Sequence, residues 1–233
     1  MSLINGNGPF GPARAGWSNP VLPDGPVVYV EPHPRRITAV VGDDVVIDTE
    51  RALMVHRPGE ALAYVFPVDV VGDLPHTDEP EAPGFVHVPW LAVDTWFEEG
   101  RRLVHYPPNP YHRVDCRPTT RRLRVKVADT VLVDTDDTVI LFETSLEPKL
   151  YVHPRHVRMD LLQRSETTSW CNYKGAATYW SALVGGRVIA DVAWTYEDPL
   201  PESTQITGLL SFEPENADVL AALPVGSRAA DVR

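Results

Sequence analysis

The chain has 233 residues, of which 43% are hydrophobic and 23% are charged, and its net charge is -11. This composition is typical of a soluble globular protein and excludes collagen-like, coiled-coil and wholly disordered chains. No apolar run approaches the ~18 residues of a membrane span, and residues 1–11 lack the basic and apolar regions of a signal peptide. We therefore expect a cytoplasmic protein without a membrane partner. The acidic balance argues against nonspecific nucleic-acid binding, and two cysteines, Cys116 and Cys171, are too few for a disulfide scaffold.

The first 35 residues are rich in proline, glycine and asparagine and show no helical or strand period. We predict an irregular arm over residues 1–35 that packs on the rest of the chain, because Trp17 and Leu22 are too apolar for a solvated tail. Residues 6–11 spell G-x-G-x-x-G, but no strand precedes them and Pro9 lacks a backbone N–H. No dinucleotide or other cofactor is predicted.

An internal duplication is the clearest feature of the sequence. Residues 35–49 resemble residues 121–135, which gives a period of about 86 residues, well above the range of solenoid repeats. Two further matches are Tyr64-Val65-Phe66-Pro67 with Tyr151-Val152-His153-Pro154, and Glu98-Glu99-Gly100-Arg101 with Val184-Gly185-Gly186-Arg187. The sequence thus predicts two domain-sized copies, at residues 36–115 and 122–213, with a connector at 116–121.

Each copy has the pattern of short β-strands. Val125, Val127, Val131 and Val133 alternate with polar residues around a turn at 128–130, as in a half-buried hairpin. Further apolar runs between turn residues indicate a meander, so the predicted fold is all-β, mainly antiparallel and with little helix. The C-terminal region, residues 214–233, is predicted to contain a short helix at Ala217–Leu223, capped by Asn216 and ended by Pro224.

The second copy resembles a known bacterial family, the domain-of-unknown-function family 427, which is sometimes labelled nucleotidyltransferase-like. The resemblance lies in residues 167–180 and 193–199, with supporting matches at 155–162 and, in the first copy, at 110–115. It covers roughly residues 36–213 and implies a two-copy member with small curved antiparallel sheets of the β-tent type and a cleft between them. The first copy has no counterpart of residues 171–175, so we expect one asymmetric site.

Cys171, Tyr173 and Lys174 are candidate catalytic residues in a polar loop before an aromatic strand. A nearby ammonium lowers a thiol pKa, so Cys171 is a candidate nucleophile, with Lys174 and Tyr173 as partners for an anion or a proton. The alternative is that Cys171 packs as a small hydrophobe and that Lys174 lies in an ordinary turn. Because Asn172 and Gly175 are turn formers, we expect an accessible Lys174 that matters to function more than to folding.

Arg158 and His156 are candidate ligand-binding residues beside Asp160. Arg158 can clamp a carboxylate or phosphate, or it can anchor its own loop through a salt bridge to Asp160. His153 and His156 lack a third metal ligand at a recognisable spacing, and no HExxH motif occurs, so no metal site is predicted.

Aromatic and polar residues define the working hypothesis for the site. Six aromatic residues around the motif suit the walls of a pocket in the second copy, although aromatic residues on strands are more often core. They are Trp170, Tyr173, Tyr179, Trp180, Trp194 and Tyr196. Tyr111, His112 and Arg113 close the first copy, with His112 as a further catalytic candidate. We predict a cleft with these three on one side and Tyr173 and Lys174 on the other.

Two classes of function remain. The first is a small-molecule enzyme that uses acid–base or nucleophilic chemistry from Cys, Tyr, Lys or His in this cleft. The second is a noncatalytic module that binds a small ligand or a protein. The predicted partner is a small-molecule ligand or substrate, anionic or aromatic, and not a nucleic acid; a protein partner remains the alternative for the noncatalytic module. The basic residues at 113–126 are interpreted as solvating charges that pair with acidic groups.

Overall fold

The computed structural model describes residues 10–11 and 27–224. These residues form antiparallel sheets joined by turns and short 3-10 segments, which confirms the predicted all-β class with little helix. None of their helical segments has the length and apolar character needed to cross a membrane. The chain divides into two compact units, with the boundary between His112 and Arg113.

The first unit contains two sheets. One has five strands in the order β1-β4-β5-β7-β6, and the other has four in the order β3-β2-β8-β9. The strands are β1 (Tyr29–Pro32), β2 (Ile37–Val41), β3 (Asp44–Thr49), β4 (Leu53–His56), β5 (Ala63–Pro67), β6 (Thr77–Asp78), β7 (Phe85–His87), β8 (Thr95–Glu98) and β9 (Arg101–Arg102). Short 3-10 segments lie at Val68–Val70 and Trp90–Ala92.

The second unit also contains two sheets. Seven strands lie in the order β10-β13-β14-β18-β17-β16-β15, and three in the order β12-β11-β19. The strands are β10 (Val114–Thr119), β11 (Leu123–Val127), β12 (Thr130–Thr135), β13 (Thr138–Glu143), β14 (Lys149–Val152), β15 (Leu162–Cys171), β16 (Gly175–Val184), β17 (Arg187–Thr195), β18 (Leu210–Phe212) and β19 (Asp218–Ala221). Its 3-10 segments are Pro154–His156, Met159–Leu161 and Pro201–Ile206.

Each unit has its own apolar core, formed by alternate residues of both its sheets. In the first unit, Ile37 and Ala39 of β2 belong to one buried cluster with Met54 and Phe66. In the second unit, Leu123 and Val125 of β11 belong to a cluster with Ile140, Leu150 and Val152. Side chains alternate across a strand, so this pattern gives each sheet one face toward its own core.

The two units share the same strand pairing at a constant offset of 86 residues. Ile37 pairs with Thr49 in the first unit, and Leu123 pairs with Thr135 in the second. Both hairpins carry a bulge at the same place, after Ala39 in one and after Val125 in the other. Because bulges and register are specific features of a strand pair, the two units share the architecture of this hairpin.

The same offset relates two more strand pairs and corrects one sequence match. Met54 pairs with Tyr64, and Ile140 pairs with Leu150, so the counterpart of Tyr64 is Leu150. The predicted match of Tyr64 with Tyr151 is therefore wrong by one residue. A shift of one residue moves a side chain to the other face of its sheet. Leu150 packs in the core of its unit, as Tyr64 does in its own, whereas Tyr151 belongs to a separate cluster.

The end of the second copy is also corrected. In the first unit, β8 pairs with β2, and Trp96 lies opposite Ala39. In the second unit, β19 occupies the equivalent position beside β11, and Val219 lies opposite Val125. The predicted match of 98–101 with 184–187 is wrong because glycine-containing hairpins are common and fix no register. The predicted helix at 217–223 is likewise wrong, because its residues supply the third strand of a sheet.

The predicted arm and connector contain strands. Residues 29–32 form β1, which pairs with β4, and residues 114–119 form β10, which pairs with β13. Pro32 lies opposite Leu53, and Pro118 lies opposite Val139, again at the same offset. The shared architecture thus begins earlier than predicted in both copies, and the second copy extends to β19. Trp17 and Leu22 lie outside the described residues.

Candidate functional site

One face of the seven-stranded sheet points away from the three-stranded sheet and carries polar and aromatic side chains. On this face Cys116, Leu141, Tyr151, Ala177 and Tyr196 form a separate buried cluster. Each strand contributes alternate residues to it, while the intervening residues pack in the core shared with β11 and β12. The second unit therefore has a second, mixed polar and apolar centre beside its hydrophobic core.

The loop between β15 and β16 brings Lys174 to this face. Cys171 pairs with Gly175, which leaves a loop of residues 172–174. Gly175 has a φ of +96°, and a Cβ there would lie 3.4 Å from the carbonyl oxygen of Asp198. The Leu200 N–H donates to the carbonyl oxygen of Lys174 at 3.1 Å. The loop is thus held on both sides, and glycine is required where it joins β16.

Lys174 is buried and forms an ion pair, which contradicts the predicted accessible loop. The lysine is 7% exposed, and its Nζ lies 2.5 Å from Oε2 of Glu143, at the end of β13. The two side chains are only 9% and 11% exposed. Asn172 is buried as well, and its Oδ1 accepts a hydrogen bond from Nε1 of Trp170 at 3.0 Å. Lys174 therefore has a structural role that its sequence neighbours did not indicate.

A cavity of about 360 Å³ opens beside this ion pair. Three aromatic residues on strands and a fourth just after β17 contribute to its wall, and three glutamates and two lysines supply its charge. The lining residues are Leu141, Glu143, Leu146, Glu147, Lys149, Tyr151, Lys174, Tyr179, Trp194, Tyr196 and Glu213. This mixture of aromatic faces and a few convergent charges is typical of small-molecule sites.

The aromatic residues of the wall are held by hydrogen bonds and by burial. Trp194 Nε1 donates to the hydroxyl of Tyr151 at 3.0 Å, with the two rings edge to face. The hydroxyl of Tyr179 lies 3.0 Å from Oγ of Ser169. Burial raises the pKa of both Tyr151 and Tyr196 well above its usual range, so both phenols stay protonated at neutral pH.

The two cysteines occupy different surroundings near this face. Cys171 is half-buried and packs with Tyr173 against the polar cluster, and neither residue lines the cavity. Cys116 is 4% exposed, and burial raises the pKa of its thiol to about 11. The cavity wall thus contains Lys174 but not the proposed nucleophile.

Arg158 and His156 make salt bridges with neighbouring aspartates. Arg158 Nε and Nη2 donate to the two carboxylate oxygens of Asp160 at 2.8 and 2.7 Å. Arg155 and His156 both contact Oδ2 of Asp137, at 2.6 and 2.9 Å, and these contacts hold the Asp137 pKa below its usual range. This geometry agrees with the anchoring interpretation of Arg158, and neither Arg158 nor His156 lines the cavity.

The remaining candidates lie elsewhere. Trp180 packs in the core on the opposite face of β16 from Tyr179, because adjacent residues of a strand point to opposite sides. Tyr111 belongs to the first unit, where its hydroxyl donates to Glu31 Oε2. His112 ends that unit, and Arg113, which contacts Asp115 at 3.4 Å, begins the second. The cleft predicted between the copies stays a prediction.

Two other cavities in the described residues are larger than the one at Lys174. An open groove of about 1100 Å³ follows β11, β14 and β19 and ends at Pro224. A cavity of about 460 Å³ lies in the first unit and is lined by Arg57, Tyr64, Trp90 and Trp96 among others. The cavity at Lys174 is therefore not the largest, and it is distinguished by its buried charges and not by its size.

Sequence reasoning missed Glu143 and Tyr151, whereas Tyr179 was among the aromatic residues expected in the pocket wall. The signal for Tyr151 was the alternation of β14, which places it on the face away from the core. Glu143 had no local signal, because its partner Lys174 is 31 residues later in the chain.

Comparison with protein families gives one match, to the family model described as a domain of unknown function, DUF427 or NTP_transf_9, over residues 115–222. No match to the chain was found among curated proteins. The matched residues begin in β10 and extend one residue beyond β19, so they include both sheets of the second unit. Residues 115–222 of this chain are a DUF427 domain.

Proposed function

We propose that the second unit binds a small molecule in the cavity beside Lys174. The observation that supports this proposal is the buried ion pair of Lys174 and Glu143 in the wall of an aromatic cavity. Burying two charges costs several kcal/mol in desolvation, and an apolar pair of similar volume is often as stable. A buried pair at a cavity wall is thus better explained by a ligand that contacts these polar groups than by stability.

The ligand that fits this cavity best is an aromatic molecule with polar substituents. Tyr151, Tyr179, Trp194 and Tyr196 offer ring faces and edges to a planar group. The charge of Lys174 is already offset by Glu143. Carboxylates outnumber ammonium groups in the lining by three to two, which favours an aromatic ligand over a strongly anionic one.

In the catalytic form of this proposal, the Lys174–Glu143 pair supplies acid–base chemistry. The two groups share a contact of 2.5 Å between Nζ and Oε2, so a bound molecule that separates them meets a proton donor and a proton acceptor together. Neither cysteine lines the cavity, so nucleophilic attack by Cys171 has no support from this geometry.

A noncatalytic binding module is the second candidate. It is favoured by the phenols of Tyr151 and Tyr196, whose raised pKa values keep them protonated and unable to act as bases near neutral pH. In this form the ion pair and the rings position the ligand without changing it.

The experiment begins with small molecules that the purified chain retains, released by denaturation and identified by mass spectrometry. Tyr179→Ala removes a ring from the cavity wall, and Phe142→Ala is the matched control, because Phe142 is exposed beside Glu143 and does not line the cavity. Loss of one aromatic contact should weaken binding by about three- to tenfold. Equal retention by both variants would contradict the proposed site.

Turnover then separates the two forms. The released compound is incubated with the wild-type chain and with Glu143→Gln, which keeps a hydrogen-bonding group but removes the carboxylate. Conversion by the wild type that is lost in the variant, with binding retained, supports the enzyme. Binding without conversion in either protein supports the noncatalytic module.

We further propose that the first unit is a second, diverged copy of the same domain, because strands β1 to β5 pair as β10 to β14 do at an offset of 86 residues. Pairs such as Val30 with Val55 and Cys116 with Leu141 support the common origin. The two copies differ most where β15, β16 and β17 form long hairpins that the first unit replaces with the short strand β6 and its turn.

A further inference from the structure

The cavity of the first unit occupies the same place in its fold as the cavity at Lys174. At the offset of 86 residues that relates the hairpins β4–β5 and β13–β14, Arg57 corresponds to Glu143 and Ala63 to Lys149. All four of these residues line their cavities. Two further lining positions, 60 and 61, correspond to 146 and 147.

The opposite wall shows the same correspondence. Val86 pairs with Phe66, and Leu210 pairs with Val152, so β7 and β18 occupy equivalent positions. Three residues beyond these two lie Pro89 and Glu213, and each lines the cavity of its own unit. Both cavities are therefore produced by the shared architecture, at the ends of the same strands.

The walls of the first cavity are more apolar than those of the second. Leu62, Val88, Trp90 and Trp96 supply most of the apolar surface, and Tyr106 contributes a further ring. Trp90 and Trp96 stack with their ring centroids 5.3 Å apart. Trp96 Nε1 donates to the carbonyl oxygen of Trp90 at 2.9 Å, so its polar edge is already bonded. A cavity of about 460 Å³ with these walls has the size and surface of a site for a planar apolar molecule.

The guanidinium in this cavity wall is compensated. Arg57 donates to Glu79 Oε1 and, at 2.9 Å, to Glu81 Oε2. His87 is half-buried, and burial lowers its pKa, so its imidazole is neutral at pH 7 and can donate one hydrogen bond and accept another. The lining also includes the exposed carboxylate of Glu60, and its guanidinium is already paired, so it does not favour an anionic ligand.

We propose that the first unit contains a second ligand site, which takes an uncharged planar aromatic molecule between the Trp90 and Trp96 wall and the β4–β5 loop. His87 hydrogen-bonds a neutral polar substituent of this molecule. This inference does not depend on the function proposed for the second unit.

The test uses the full-length chain and the neutral fluorophore N-phenyl-1-naphthylamine, whose emission rises in apolar surroundings. Ala63→Trp fills the first cavity from its wall. Val68→Trp is the control in the same unit, because Val68 is exposed and lines neither this cavity nor the one at Lys174. Ala63→Trp should weaken binding at least about tenfold, and Val68→Trp should leave it within about twofold of the wild type. Displacement by 2-naphthol should need a concentration at least about tenfold lower than displacement by 2-naphthoate, which has the same rings and a charge.

Binding that survives in Ala63→Trp, or that is lost in Val68→Trp, would overturn the proposal, as would equal displacement by the two competitors. If Ala63→Trp does not fold by circular dichroism, Ala61→Trp replaces it, because Ala61 is exposed at the rim of the same cavity. The second-unit proposal is tested separately by Tyr179→Ala, so each site can fail without the other.

Discussion

Replacement of Lys174 by methionine tests the buried ion pair most directly. The substitution keeps most of the side-chain volume and leaves the Glu143 carboxylate, which is 11% exposed, without its cation. Removing one partner of a buried pair costs about 3–5 kcal/mol, and for a unit of this size this corresponds to a Tm lower by about 10–20 °C. Differential scanning calorimetry of the full-length chain at pH 7 measures the shift.

Two further variants isolate the cause. Lys149→Met removes the other lysine of the cavity, which is only half-buried, and should cost less than about 1 kcal/mol. The double variant Lys174→Met with Glu143→Leu removes both buried charges and should recover most of the lost stability, because an apolar pair needs no compensation. A Lys174→Met protein within about 1 kcal/mol of the wild type, or a double variant as unstable as the single one, would refute this reasoning.

Three other predictions follow from single side chains. Burial alone would raise the pKa of Glu98, but hydrogen bonds from His33, Tyr64 and Arg35 outweigh it and lower the pKa from 4.5 to about 2. This carboxylate therefore contributes about 3 kcal/mol to the free energy of unfolding above pH ~4.5, and the contribution is lost as the pH falls toward 2. In urea titrations, Glu98→Gln should lose less stability over this pH interval than the wild type, and an equal loss would contradict the assignment. Gly175→Ala places a Cβ 3.4 Å from a carbonyl oxygen at a φ of +96°, so it should lower the free energy of unfolding by about 1–3 kcal/mol in thermal unfolding. Gly186→Ala is the control, because its φ is also positive but its Cβ would meet open space, and it should cost less. Equal costs for the two variants would be contrary evidence. Cys116 is buried, and its thiol pKa is raised to about 11. At pH 7 iodoacetamide should therefore alkylate Cys116 more slowly than half-buried Cys171, as followed by peptide mass spectrometry. Equal alkylation rates would contradict the burial of Cys116.

The sequence predicted those parts of the fold that depend on local pattern. The alternation of Val125, Val127, Val131 and Val133 indicated a hairpin, and its repetition 86 residues earlier located the other copy. Tyr64 and Tyr151 could be matched by identity, yet their strand partners show that the true counterpart of Tyr64 is Leu150. Residue identity over four positions cannot fix a register that backbone pairing and the burial of one face determine.

Contacts between distant segments account for the rest. Ala217 to Leu223 has helical spacing and a plausible cap, but β11 has an unpaired edge that residues 218–221 complete as a strand. Lys174 looked exposed because its neighbours form turns, and its burial depends on Glu143, which belongs to another hairpin. Tertiary context overrode local preference in both cases.

The long hairpin that completes the second-unit cavity also leaves an exposed strand at the end of a sheet. β15 is the last of seven strands, and most of its residues are exposed. Such an edge is a template on which another chain can add a strand and begin aggregation. The pairing of β15 with β16 is interrupted between Arg164 and Thr168, and Arg164 forms an ion pair with Glu197 at 3.0 Å. An irregular edge with a fixed charge is a poor template, so the segment that distinguishes the two copies also opposes intermolecular sheet growth.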